Sequence, residues 1–168
     1  MADPVIGLIG SGYFLGWMLS STFLPGLADT FGRKWVLFFG CVFQNILQVV
    51  NLLSRDIYLT IGAYFLYGAS ASIILPIATT FANELIISKY RAGITTLMAA
   101  VDASSMIWQV AYYYTHTSMY PLHWGLFVAA SSFTLSLAIC LPESPKFYYA
   151  RGRYDQARIA LKKIAKFN

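Results

Sequence analysis

The amino-acid sequence predicts an all-α membrane protein, with five transmembrane helices followed by a C-terminal amphipathic helix. Three observations carry this reading. Hydrophobic residues make up 58% of the 168 positions and charged residues only 11%, with a mean hydropathy of +0.59; an ordinary soluble domain carries roughly 25% charged residues. Apolar runs long enough to cross about 30 Å of hydrocarbon recur along the chain. The basic residues, finally, collect in alternate links and in the tail, as the positive-inside rule requires of a polytopic protein.

Asp3 and Pro4 open the first span, Asp3 as N-cap and Pro4 at the first helical position, where its missing N–H is harmless. The span runs over residues 5–27. Its Gly12 and Gly16, alongside Gly7 and Gly10, form a small-residue face suited to a close helix neighbour. This run lacks a basic n-region and is long enough to span, so it is expected to persist in the mature protein. Met1 just ahead of the cap is read as favouring a genuine start.

Residues 26–34, Gly-Leu-Ala-Asp-Thr-Phe-Gly-Arg-Lys, are a charged hairpin at the membrane surface, because hydrocarbon leaves no room for uncapped backbone or unpaired charge. The second span covers 35–53 and ends at Ser54-Arg55-Asp56. The third covers 58–81 and contains Pro76, which is tolerated in a buried span and can kink it. A second charged link, 83–92, holds Glu84, Lys89 and Arg91. The fourth span covers 93–114 and the fifth 122–141, with Pro142-Glu143-Ser144-Pro145 stopping the last helix. The membrane bundle is thus 1–141 and the basic tail 142–168. In the tail, Arg158, Lys162 and Lys166 recur at i, i+4, and Ala157, Leu161 and Ile164 take another face; such a helix lies on the membrane or against the inner mouth of the bundle.

Eleven of the twelve Lys and Arg fall on one side of this arrangement and only Arg55 on the other. The tail is therefore inside and the N-terminus outside. The same distribution accounts for the net charge of +5 without nucleic acid.

Three segments resemble a known family. Gly26, Asp29, Gly32, Arg33 and Lys34 spell G-x-x-D-x-x-G-R-K, similar to the loop between the second and third helices of major facilitator superfamily transporters. Glu84 with Arg91 resembles the E-x6-R pattern after the fourth helix of sugar and organic-ion transporters. Residues 142–147, PESPKF, resemble the PESPR segment that closes their N-terminal half, with Lys146 in place of the usual arginine, a change that weakens planar pairing with a carboxylate. The resemblance implies that the five spans correspond to helices two through six of a twelve-helix protein, a partial N-terminal half. It also implies that Gly26, Asp29, Gly32, Arg33, Lys34, Glu84, Arg91, Glu143 and Lys146 belong to an inner-face ion-pair network stabilising one conformational state; solvated loop charges are the alternative.

Asp102 lies about ten residues from the inner end of the fourth span, roughly 15 Å deep. A charge there must face the bundle interior, a wet cavity or a partner. Ser105, Gln109, Tyr112 and His116 follow on the same face, so Asp102 is a candidate cation or proton site with Ser105, Gln109 and Tyr112 as neutral neighbours. A protonated aspartate holding helices together is the alternative. Gln44, Gln48 and Asn51 form a second polar stripe, expected to face a protein partner in place of the missing helices or to bond within the bundle.

No nucleophile stands beside a base, no phosphate loop is present, and His116 and His123 form no metal-spaced cluster, so neither an enzyme nor a cofactor is expected. Cys41 and Cys140 sit in apolar runs as small hydrophobes. The expected function is alternating-access transport of a small organic ion or sugar-like solute. Because one incomplete half cannot rock against itself, a protein partner or the missing remainder would supply the other helices. A transport-inactive structural subunit of a larger membrane complex is the alternative.

Overall fold

The computed structural model describes residues 3–24, 26–116, 118, 120–140 and 142–165, with side chains from 7 onward and without those of 137–140. The cap expected from Asp3, the Cys140 thiol and Lys166 of the basic face lie outside these described parts.

Among the described residues every regular element is helical: α1 Asp3–Ser21, α2 Leu27–Phe31, α3 Arg33–Leu53, α4 Ile57–Leu85, α5 Arg91–Thr115, α6 Tyr120–Cys140, α7 Pro145–Ala150 and α8 Tyr154–Ile164, with a single 3-10 turn at Ser88–Tyr90. The five long helices fall where the apolar runs lie, but their ends differ from the expected spans. The first run breaks at Ser21, and the hairpin after it contains the separate helix α2. Asp56, read as the stop of the second span, also caps α4 by accepting a hydrogen bond from the Tyr58 N–H at 3.0 Å. Pro76 does not break α4, which runs 29 residues through it.

Among the described residues two of these helices, α3 and α4, are long and apolar enough to cross a membrane by length and composition, where five spans are expected from the sequence. The physical reason is plain for α5: Asp102, Ser104, Ser105 and Gln109 dilute its apolar character along its middle.

α4 is the centre of the bundle, packing α1 along one side and α3 along another, while α6 packs on α3. Contact with α1 depends on small residues. A Cβ at Gly16 would overlap the Phe65 carbonyl, and one at Gly68 would overlap that of Tyr13, so the two backbones touch at a glycine-to-glycine crossing. Gly7 and Gly10 face open space and take no part in it. The core proper, Leu37, Cys41, Ile77 and Phe81 with Ala28 of α2, sits between α3 and α4 toward the charged end. Elsewhere large apolar side chains stand exposed on every long helix, Phe14, Phe39, Leu66, Trp108 and Phe133 among them. Such a surface suits hydrocarbon and would be unstable in water.

The tail is two helices and not one. α7 follows Ser144 with Pro145 at its first turn, and a left-handed Gly152 (φ 70°) separates it from α8. The face of α8 that packs is Ala157 and Ala160; Leu161, expected on the apolar face, is exposed. Two alanines allow α8 to lie close against α7, and a leucine in their place would hold it off.

Candidate functional site

At the charged end, three distant segments meet. Glu84, at the last turn of α4, has a side chain only 7% exposed and forms an ion pair with the Arg33 guanidinium at the start of α3. Its second oxygen accepts a hydrogen bond from the Ser144 hydroxyl. Lys146 Nζ stands 3.9 Å from Glu84 Oε1, and Asp29 Oδ1 lies 3.4 Å from Arg33 Nη2. Both outer partners are largely exposed, Asp29 at 75% and Lys146 at 64%, so solvent screens them and the Arg33–Glu84 pair is the energetic centre.

Glu143 does a different job from the one expected. Its carboxylate pairs with no cation among the described residues; Oε1 instead accepts from the backbone N–H groups of Lys34, at 3.1 Å, and Ser144, at 3.0 Å. The first turn of a helix leaves N–H groups without intrahelical partners, and Gly32, the N-cap of α3, has no side chain to satisfy them. Glu143 caps α3 from 109 residues away, with its charge at the positive end of the helix dipole. Gly32 makes room for it: its φ is +99°, and a Cβ there would stand 2.7 Å from Glu143 Oε2.

Two other residues of the expected network stand apart. Arg91 makes no ion pair among the described residues; the link after α4 turns at Ile86, and Arg91 Nε donates to the Ile86 carbonyl at 3.3 Å, satisfying an acceptor left at the helix end. Gly26 has an ordinary right-handed helical conformation (φ −62°), and a Cβ there would meet nothing closer than 3.5 Å, so the turn does not require glycine at that position. Lys34 joins the cluster through its backbone, with its ammonium 5.7 Å from the centre of the Trp35 ring.

Sequence reasoning missed two members of this end. Ser144, fully buried, bridges Glu84 and was quoted only as part of a motif. Arg151 donates to the Thr30 carbonyl at the end of α2 and lies over the Phe147 ring at 4.7 Å, clamping the tail to the hairpin. No local pattern marks either role, since both depend on contacts across most of the chain.

On α5, Asp102, Ser105 and Gln109 are exposed and Tyr112 is half-buried. The Ser105 hydroxyl donates to the Asp102 carbonyl at 2.6 Å, Tyr112 stacks on His116 with ring centres 4.6 Å apart, and the Tyr112 hydroxyl donates to the Ser118 carbonyl at 3.2 Å. Asp102 lies within electrostatic range of Tyr13 on α1. None of the residues of α5 is buried, and among the long helices it packs mainly on α4, to which Thr95 ties it by a 3.0 Å hydrogen bond to Asn83.

The stripe on α3 turns inward. Gln44 and Gln48 line a cavity shared with α4 and α6, Gln44 within hydrogen-bonding reach of the Tyr67 hydroxyl. Both therefore line the interior of this bundle. Asn51 lines a separate space with Tyr64 and His123, and its buried Oδ1 accepts no hydrogen bond among the described residues. No group of three or more His, Cys, Asp or Glu among the described residues is placed to hold a metal.

The sequence is similar to known proteins over nearly its whole length. Synaptic vesicle glycoprotein 2A of Homo sapiens is similar at 24% identity, over 98% of this chain and 24% of its own length. Myo-inositol transporter 1 of Candida albicans is 26% identical over 93% of this chain and 29% of its own length, and synaptic vesicle glycoprotein 2B of Rattus norvegicus is 25% identical over 94% and 25%. The chain spans about a quarter of the length of these relatives. The family described as sugar (and other) transporter matches residues 2–167, essentially end to end. The chain belongs to this transporter family of the major facilitator superfamily, and with it to the integral membrane proteins.

Proposed function

We propose that this chain supplies five membrane-spanning helices, equivalent to helices two through six, to an alternating-access transporter of a small organic ion or sugar-like solute. It works with further helices from a partner or from the remainder of a longer protein. The observation that carries the reading is the joining of three motif segments at one end of the bundle, Arg33, Glu84 and Ser144 with Glu143 on the α3 terminus. A cluster of this kind holds α3, α4 and the tail in one arrangement and releases them in another, which is what a two-state carrier needs at its inner mouth. The charge bias puts that end inside and the N-terminus outside.

The solute site we assign to the α5 face, with Asp102 holding a cation or proton and Ser105, Gln109 and Tyr112 as neutral neighbours. Its exposure supports this: α5 buries none of its residues and packs mainly on α4, leaving Asp102 open for further helices to close a cavity over it. A sugar-like solute is supported by the name of the myo-inositol relative. The competing structural-subunit reading rests on the α3 amides meeting foreign helices and on a sealed Asp102. Gln44 and Gln48 lining an internal cavity and the exposure of Asp102 in this chain weigh toward the transporter reading.

The deciding experiment starts with the complex purified in mild detergent from the native membrane. A single partner supplying about seven more helices, the number a twelve-helix carrier lacks here, supports a working transporter. In that assembly Asp102→Asn should abolish uptake or change its ion dependence. Unchanged uptake would remove Asp102 from the site, and co-purification with many unrelated subunits would favour a structural role.

A further inference from the structure

The tail is anchored at one end and open along the other. Ser144, buried against Glu84, and Arg151, bonded to the Thr30 carbonyl, fix α7 to the ends of α4 and α2. Gly152, at φ 70°, then turns the chain into α8, which starts at Tyr154, a short way in sequence from the end of α6 at Cys140. In an integral membrane protein this tether keeps α8 beside the bilayer surface, so a leaflet is always within its reach.

α8 packs on α7 through Ala157 and Ala160, with Ile164 half-buried, and exposes its remaining residues. At about 3.6 residues per turn, Tyr154, Arg158, Leu161, Lys162 and Ala165 stand at i, i+4, i+7, i+8 and i+11, one stripe beside the packed alanines. Gln156, Ile159 and Lys163 lie on the far side of the helix. Tyr154 and Leu161 are more than half exposed. Tyr149 of α7, also more than half exposed, meets the Tyr154 ring edge-on with centres 5.4 Å apart, so the apolar part of the stripe continues from one tail helix to the other.

The bases beside this strip decide which surface suits it. Arg153, Arg158, Lys162 and Lys163 make no ion pair among the described residues, and α8 carries a single acid, Asp155. Tyrosine rings settle at head-group level, and Arg and Lys lay their methylenes along apolar surface while their charges reach outward to phosphate. A neutral leaflet answers only the apolar half of that pattern. An anionic leaflet answers both halves.

We propose that Tyr149, Tyr154, Arg158, Leu161 and Lys162 form a docking surface for anionic phospholipids of the adjacent leaflet, along which α8 lies. The surface is separate from the α5 face, so the proposal depends on neither Asp102 nor the solute.

The test uses the full chain with Trp17, Trp35, Trp108 and Trp124 replaced by phenylalanine and one tryptophan introduced by Leu161→Trp or, separately, by Ile159→Trp. Nanodiscs hold phosphatidylcholine brominated at the head-group end of its acyl chains, with or without about one third phosphatidylserine. With Leu161→Trp, quenching should be at least about twofold stronger when phosphatidylserine is present, and high salt should remove the difference by screening. With Ile159→Trp, quenching should be weak in both lipids. Each base near an anionic surface contributes roughly fivefold to partitioning, so Arg158→Gln combined with Lys162→Gln should return quenching at position 161 to its level in phosphatidylcholine, with unchanged helix content by circular dichroism. Equal quenching with and without phosphatidylserine, equal quenching at positions 161 and 159, or full quenching in the double glutamine variant would overturn the proposal. It also fails if position 161 stays unquenched in anionic nanodiscs but is shielded from acrylamide in the complex from the native membrane, because protein then covers the stripe.

Discussion

At the scale of single residues, the charged end separates side chains that a motif treats alike. Arg33 and Lys146 both approach Glu84, but Arg33 is mostly buried against it and Lys146 is mostly in solvent. Removing one member of a buried pair leaves the other's charge without compensation, so Arg33→Ala should destabilise the detergent-solubilised chain by about 3 kcal/mol. Lys146→Ala should cost less than about 1 kcal/mol. Thermal unfolding followed by circular dichroism reads both, and equal losses would show that the buried pair is not the centre of the cluster. The two motif glycines separate in the same way. Gly32 combines a φ of +99° with a ψ of 145°, close to a region only glycine occupies freely, and its missing Cβ leaves space for Glu143. Gly32→Ala should therefore cost about 1–3 kcal/mol, while Gly26→Ala, in ordinary helical backbone, should stay within about 0.5 kcal/mol. Comparable midpoints for the two alanine variants would contradict this account. Arg33, Glu84 and Glu143 were legible in the sequence because their spacing resembles a family pattern. Glu143 as a helix cap was not, because a cap reached from 109 residues away leaves no local trace.

At the scale of elements, long helices occupy the apolar runs because hydrophobic length is a property of the segment itself. Their ends were not legible in the sequence, because the ends depend on partners. α1 stops at Ser21 and a five-residue helix follows, since Ala28 is drawn into the core beside Leu37 and Phe81. In the same way, a small-residue face on α1 could be seen from Gly12 and Gly16, but its mate, Gly68 on α4, stood in an apolar stretch with nothing to single it out. The structure makes Gly16 and Gly68 the point of closest approach, and Gly10 an open position. Gly16→Val should force α1 off α4 and cost about 1–3 kcal/mol or more by overpacking. Gly10→Val should leave the unfolding midpoint unchanged. A pair of cysteines at the α1–α4 crossing would form a disulfide in the parent and in the Gly10 variant, and form it slowly with Gly16→Val; rapid cross-linking there would show that the helices do not depend on this crossing.

At the scale of the whole molecule, the bundle is lopsided. α4 has helices on two sides and its own hairpin partner α5 on a third, yet α5 buries none of its 25 residues. A helix carrying Asp102 and Gln109 at mid-length is poorly suited to hydrocarbon on all its free sides, because each polar group there lacks a partner. The same helix also exposes Met106, Ile107, Trp108 and Val110, so one part of its surface suits lipid and another suits a wet cavity. Further helices packed on α5 would resolve this conflict by separating the two. Trp108, 74% exposed, reports where that boundary falls. With Trp17, Trp35 and Trp124 replaced by phenylalanine, Trp108 fluorescence in the chain reconstituted alone should be quenched strongly by lipids brominated along their acyl chains. In the larger complex from the native membrane, quenching should fall by at least about half if the added helices cover this side of α5, as closure of a cavity around Asp102 requires. Equal quenching in both states would mean that Trp108 stays in lipid; the added helices would then have to meet α5 through the Asp102 face alone, and quenching of a tryptophan placed at Ser105 would have to fall instead. If neither position changes, α5 is not the surface on which the transporter is completed.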